Sequence, residues 1–454
     1  MVVKLNEHIT YKKILKIVFL PICLMLFSAL YGIVDGFCVS TFVGADHFAG
    51  INLIYPVIFI VGQIGLVFGS GGSALISKYL GEKNKDGANR VFTNLLKTII
   101  ILGIFVSVIV SVFIKPIVNS LASYSSTVTE TTKNVAITYG IVLIIAQFLY
   151  MLQVFFSIIF MADENSKIGF LFTLLGGGLN IILDFLFVGL FKLGVMGAAV
   201  ATIIGYIGAS IGPLIYYIKH KDRNFRFIKC KYDVKEILQS AFNGISEFTT
   251  NISSQIMSII LNICLLKIFG QNGISCYGGI MYTSFIFASI LFGFSGGISP
   301  YISYNYGAQN TKELQNIFKK VVLLILIIDI GLFVLCFSTA RPLSYVFASK
   351  NQEIADMTYN GLRLFSFTFI VIGYGIFSSS FFTALNNGLV SGIVSILRSF
   401  VFPLICLLVF SSLIENNVID KHFLWLNVDC AELLSAIAAF IFFFALNKKY
   451  HYIK

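Results

Sequence analysis

The stretch LNIILDFLFVG, residues 179–189, sets Asp184 inside an apolar run, four residues after Asn180. Four residues is just over one helical turn, so the two side chains share a helix face with their β-carbons about 6 Å apart. A second acid, Asp35, sits in the similarly apolar LYGIVDGFCVS, and a hydroxyl, Thr202, in GAAVATIIG. Two carboxylates held in a confined, low-dielectric place cannot both stay charged at low cost. They need a shared proton, a bound sodium ion, or alternation between the two. That is the chemistry of ion-coupled transport, and it requires elements that carry these residues to one level.

Composition says what those elements are. Of 454 residues, 57% are hydrophobic and 12% charged, and the mean hydropathy is +0.90, too apolar for a soluble globule. Apolar spans fall near 14–39, 49–76, 93–117, 135–160, 168–190, 194–218, 239–265, 275–302, 318–340, 360–384, 390–413 and 429–447. Each is long enough to cross about 30 Å of hydrocarbon as a helix. None shows the alternating pattern of a membrane β-barrel. The fold class is therefore all-α integral membrane. Most of the 32 Lys and Arg fall in the terminal tails and even-to-odd loops, which predicts both termini on the cytoplasmic side. The lysines before the first span resemble a secretion signal, but the run from Ile17 to Val34 carries no charge and no small-residue cleavage site follows, so a retained span is expected.

The net charge of +11 assigns the chain to lipid headgroups rather than nucleic acid, because the cations lie between apolar runs. The most basic segment, 217–236, is read as a topology anchor and inter-lobe linker. The eight cysteines show no CxxC or regular spacing, hence no zinc site or disulfide framework. No nucleotide loop, HExxH or GxSxG occurs, which argues against an ATP-driven pump or a membrane hydrolase. No enzyme activity and no cofactor is expected beyond a coupling Na+ or H+.

With both termini inside, span five enters from the cytoplasm and carries Asn180 and Asp184 in its outer half. Thr202 lies some eight residues into span six, and Asp35 toward the outer end of span one. All four side chains are expected to converge, Asn180 and Thr202 being open also to a plain interhelical hydrogen-bonding role. The second half offers Glu247 in NGISEFTTNISSQ, Arg398 in span eleven, and Asp329 and Arg363 without an assigned partner. Glu247 and Arg398 are expected to neutralise each other or to form a second titrating site.

The sequence also repeats. GSGGSALISKYLGEKN at 69–84 aligns without a gap with SGGISPYISYNYGAQN at 295–310, pairing Gly71 with Gly297, Ser77 with Ser303 and Gly81 with Gly307. Both copies close the second span of a six-span block, so the repeat is parallel, the sequence trace of two bundles around a central cavity. The expected organisation is 1–218 and 239–454 as six-helix lobes joined by 219–238. With 46 Phe and 21 Tyr there is aromatic surface enough for flat or cationic organic cargo.

These stretches, with PICLMLFSALYGIVDGFCVSTFVG at 21–44 and LNIILDFLFVGLFKLGVMGAAVATIIG at 179–205, resemble the multidrug and toxic compound extrusion (MATE) family, in its bacterial multidrug-efflux branch. The resemblance implies a V-shaped transporter of two pseudo-symmetric six-helix bundles in the bacterial cytoplasmic membrane. It would export varied, often cationic, lipophilic compounds in exchange for Na+ or H+, with small molecules and membrane lipids as its partners and no obligate protein partner. It further implies that Asp35, Asn180, Asp184 and Thr202 form the cation site (the metal site if the ion is Na+), and that Glu247 takes part in transport. One departure is FMADENSK at 160–167, where relatives often carry a basic residue and glycine, so that Asp163 and Glu164 alter the loop chemistry. Flippases of lipid-linked sugars are the alternative, but a pyrophosphate carrier calls for a strongly basic cavity.

Overall fold

An amide buried in hydrocarbon has no water to bond, so long apolar runs must close their hydrogen bonds within the segment. The computed structural model describes residues 3–123, 129–220, 223–348 and 352–453. Among these the regular elements are all helical. In chain order they are α1 (Tyr11–Phe42), α2 (Ala45–Gly81), α3 (Lys85–Val112), α4 (Ile114–Ser123), α5 (Glu130–Ala162), α6 (Ser166–Asp184) and α7 (Gly194–Lys219). There follow α8 (Val234–Gly307), α9 (Thr311–Ala348), α10 (Gln352–Phe365), α11 (Ile372–Ala384), α12 (Gly388–Ile396), α13 (Phe402–Glu415) and α14 (Leu426–Tyr450).

Among the described residues ten helical stretches are long and apolar enough to span a membrane, and α10 with α11 forms one more, bent by 43°. The 74 residues of α8 are two spans. At Gly270 the backbone turns to φ +66°, ψ −155°, a conformation that glycine alone adopts cheaply. The expected spans 239–265 and 275–302 lie on either side of it, which makes twelve. Large apolar side chains face outward along the helices, Phe19 at 63% and Phe444 at 67% exposed, as lipid-facing surface should.

Two compact units emerge. The first is Cys23–Gly244 with a short N-terminal piece ending at Leu5, and the second is Ile245–Lys454 with Asn6–Ile22. This division departs from the expected boundaries at 218 and 238, and packing explains why. In the first unit the side chains of α3 act as a ladder for the basic segment: Asn89 accepts from the amide of Arg226, Thr93 from that of Ile228, and Asn94 donates to the carbonyl of Lys231. Segment 223–233 is thus docked along α3 rather than slung as a free linker. Beyond it, Gly71 meets the start of α8 so closely that a β-carbon would stand 1.9 Å from the Ser240 carbonyl oxygen. The repeat has its counterpart in the second unit, where Gly297 packs against Val18 and Pro21 of α1. The paired glycines of the repeat therefore each seat the first turns of the helix that opens the opposite sequence half.

Each unit has an aromatic core. In the first, Phe92 stacks with Phe155 and Phe227 and meets Tyr217 and Phe225. In the second, Phe318, Phe381, Phe443 and Tyr452 pack together.

Candidate ion-coupling site

The site lies in the first unit and is built by α1, α5, α6 and α7. Asp184 ends α6, and the next six residues, Phe185–Leu190, wind as a π-helix. Such wide turns inside α-helices concentrate at functional positions. Asp184 is fully buried. Its carboxyl meets that of Asp35 from α1 within hydrogen-bonding reach, the juxtaposition that the two helices' levels imply. Both oxygens of Asp184 and one of Asp35 are buried without a partner. Two bare carboxylates are acceptors only, so they can bond to each other only through a proton, or jointly through a cation. Among the described residues no Lys, Arg or His forms an ion pair with either acid.

Asn180 and Thr202 are also brought together. The Asn180 amide donates to Thr202 Oγ1 over 3.3 Å, and Thr202 donates to the Ala198 carbonyl over 3.0 Å. The hydroxyl is thus tied into its own helix. Small residues make the approach possible: Gly176 and Gly205, on α6 and α7, come so close that a β-carbon at Gly205 would stand 2.7 Å from the Gly176 carbonyl oxygen.

Sequence reasoning missed several neighbours. Tyr139 of α5, 5% exposed, and the buried Cys38 lie in electrostatic range of both acids. Tyr31, one turn before Asp35, lies beside Gln153. Polar side chains at helical spacing within spans one and four were the available signal. The oxygens of the two acids, the amide and the hydroxyl are donors that suit a hard cation or a proton.

In the second unit Arg398 sits in a second π-helical turn, Leu397–Val401. Its partner is Glu432 of α14, not Glu247: Nε and Nη2 reach the two carboxylate oxygens at 3.2 Å each. Gly375 makes room, since a β-carbon there would stand 2.7 Å from Arg398 Cδ. Glu247 remains within electrostatic range of Arg398. Arg363 lies over the ring of Phe337 and donates to Tyr359. Asp329 is fully buried and accepts from the amide of Gly373 over 3.2 Å.

The loop acids divide in role. Asp163 is 2% exposed and accepts from Tyr217 Oη at 3.4 Å and the Asn224 amide at 3.3 Å, with Arg223 Nε 3.9 Å away. Burial raises its carboxyl to about 7 against the pull of Arg223. Glu164 accepts from the amide of Leu5.

A family model described as MatE matches residues 21–186 and 248–408, most of the chain and both halves of the repeat. The chain belongs to the MatE family. Among relatives of this MatE protein, the multidrug export protein MepA of Staphylococcus aureus (strain MSSA476) is 26% identical over 427 residues, covering 93% of this chain and 91% of the relative. MepA of Staphylococcus saprophyticus is 28% identical over 379 residues, 83% and 82% of the two chains. Solved structures give the same fold. A MATE in complex with MaL6 superposes with a TM-score of 0.89 at 22% identity, covering 97% of this chain and 98% of the other. An outward-facing multidrug resistance MATE family transporter does so with 0.89 at 21%, with the same coverage. The match to export proteins puts this MatE chain among transporters and not enzymes.

Proposed function

We propose that this MatE chain is a cation-coupled antiporter, working from the bacterial cytoplasmic membrane with both termini inside. It exports lipophilic, often cationic, organic compounds in exchange for Na+ or H+. The observation that carries the reading is the juxtaposition of the fully buried Asp184 with the half-buried Asp35, with no Lys, Arg or His paired to either among the described residues. An anionic pair of this kind has two stable conditions, shared proton or bound cation, and the vacant condition is costly. Opening to either side of the membrane gives the ion an entry and an exit. Coupling follows if cargo and ion favour different conformations, since a ligand of equal affinity for both shifts neither.

Asn180 Oδ1 and Thr202 Oγ1 supply the neutral oxygens that a sodium ion would add to two carboxylates, whereas a proton needs only Asp35 and Asp184. The multidrug export activity named for the staphylococcal relatives supports small organic cargo. A pyrophosphate-linked cargo is disfavoured because Arg398 is committed to Glu432 and Arg363 to Phe337 and Tyr359.

The test is dye efflux from proteoliposomes with sodium and pH gradients imposed separately. One gradient is expected to drive efflux in the wild type and neither in Asp35→Asn. Equal efflux without any gradient would overturn the proposal.

A further inference from the structure

The segment that follows the sixth span forms a groove that ion coupling leaves unused. A cavity of about 450 Å³ opens where α7 ends, lined by Tyr217, Ile218, Arg226, Phe227, Ile228 and Lys229, a volume within the range of small-ligand sites. Its walls are apolar apart from two cations. Arg226 and Lys229 are exposed and form no ion pair among the described residues. The described acids in or against this segment are engaged elsewhere. Asp163 takes Tyr217, Asn224 and Arg223, and Glu236 takes Arg90 and Tyr79. Asp233 accepts from the amides of Lys235 and Glu236 at the start of α8.

The two cations are also held in place. The amides of Arg226 and Ile228 donate to Asn89 Oδ1 and Thr93 Oγ1 of α3 at 2.7 and 3.2 Å, and the Phe227 ring stacks on Phe92 with centroids 4.8 Å apart. A topology signal needs only the number of Lys and Arg in a loop. Here the backbone is pinned along α3 and the charges are left at the rim of a groove. The preceding helix supplies the other half of the pattern. Ile207, Ile211, Ile215 and Ile218 recur every three or four residues, so they share one face of α7, and all four are exposed. On a helix that spans a membrane, such a stripe is covered by acyl chains. It ends at Ile218, which is itself a wall of the groove.

We propose that this groove is a headgroup site for an anionic phospholipid, with an acyl chain along the Ile207–Ile218 face of α7 and the phosphodiester between Arg226 and Lys229. The reading rests on α7 spanning the membrane and does not depend on ion coupling. A phosphodiester brings the charge that two uncompensated cations lack, and Arg226 offers its oxygens a planar fork of donors. A headgroup with its own ammonium sets a third cation beside these two, so phosphatidylcholine fits less well than phosphatidylglycerol. A free phosphate gains the same charge contacts but leaves the isoleucine face bare, and it lacks the high local concentration of a headgroup anchored in the bilayer.

The test is native mass spectrometry of the full chain in detergent micelles, titrated with phosphatidylglycerol or with phosphatidylcholine of the same acyl chains. Phosphatidylglycerol is expected to fill one tight site ahead of weaker ones, and phosphatidylcholine to fill none. A cation at headgroup level strengthens binding roughly fivefold, so Arg226→Gln combined with Lys229→Gln should weaken that site roughly 25-fold. The bonds to α3 come from backbone amides, so this variant keeps the segment docked. Lys448→Gln combined with Lys449→Gln removes the same charge from exposed positions at the end of α14, and should leave the site unchanged. Glycerol phosphate, a headgroup without its chains, should not displace the lipid at equal concentration. Equal binding of the two lipids, an unweakened site in the Arg226 and Lys229 variant, the same loss in both variants, or displacement by glycerol phosphate would each overturn the proposal.

Discussion

Asp163→Asn tests how the basic segment is fastened. Asp163 is buried between Tyr217, Asn224 and Arg223, and burial lifts its carboxyl from the ordinary 3.8 to about 7. A folded-state value above the unfolded one means that the native protein holds the proton longer. Its stabilising contribution is complete below about pH 4 and is lost as pH rises through about 7. Between about pH 5 and about pH 8, roughly two pH units of that interval are crossed, which corresponds to about 3 kcal/mol lost by the wild type. Asparagine does not titrate, so the variant should be spared this loss and gain about 3 kcal/mol relative to wild type over the same range. For a chain of this size that is a shift of about 3 °C in melting midpoint. Thermal unfolding of both proteins in the same detergent at the two pH values measures it. If the difference between variant and wild type is the same at both, Asp163 is not titrating in this interval and the reasoning is refuted.

Other outcomes follow from the same geometry. Asp35→Asn and Asp184→Asn should each abolish gradient-driven efflux from proteoliposomes while the protein still inserts, and Thr202→Ala should weaken it only if the ion is sodium; full efflux in either aspartate variant refutes the site. Arg398→Met should cost about 3–5 kcal/mol by stranding Glu432, and adding Glu432→Met should recover most of it, as read by denaturant unfolding. Gly71→Ala should destabilise by about 1–3 kcal/mol because the obstructing atoms are backbone, whereas Gly178→Ala, with nothing within 4 Å, should be neutral or stabilising by up to about 1 kcal/mol.

The spans were legible because hydropathy alone forces helices in lipid, and a common level for Asp35 and Asp184 could be counted along helices of expected direction. What long-range packing decides was not legible. Glu432 lies 34 residues after Arg398, and nothing local distinguishes it from Glu247 as a partner. The docking of 223–233 depends on Asn89, Thr93 and Asn94, whose side chains read in sequence as ordinary polar residues at the start of a span. The break near Val371 has β-branched and aromatic residues around two glycines, a composition shared by unbroken spans; only the carboxyls of Asp329 and Asp429, from other helices, make it affordable. In sequence a basic loop looks like a linker whether or not a helix has amide and hydroxyl groups waiting for it.

The fifth span of each half carries a π-helical turn, Phe185–Leu190 in the first and Leu397–Val401 in the second. The same backbone widening serves opposite charges. In the first unit it follows Asp184, which faces another acid; in the second it contains Arg398, which faces Glu432 and is neutralised there. A parallel repeat therefore keeps the device and divides the chemistry: among the described residues the acid before the first turn has no basic partner, whereas the arginine in the second has Glu432. An exchangeable cation gains most where no fixed cation already sits, which is why we propose Asp35 and Asp184, rather than the turn that holds Arg398, for the coupling ion.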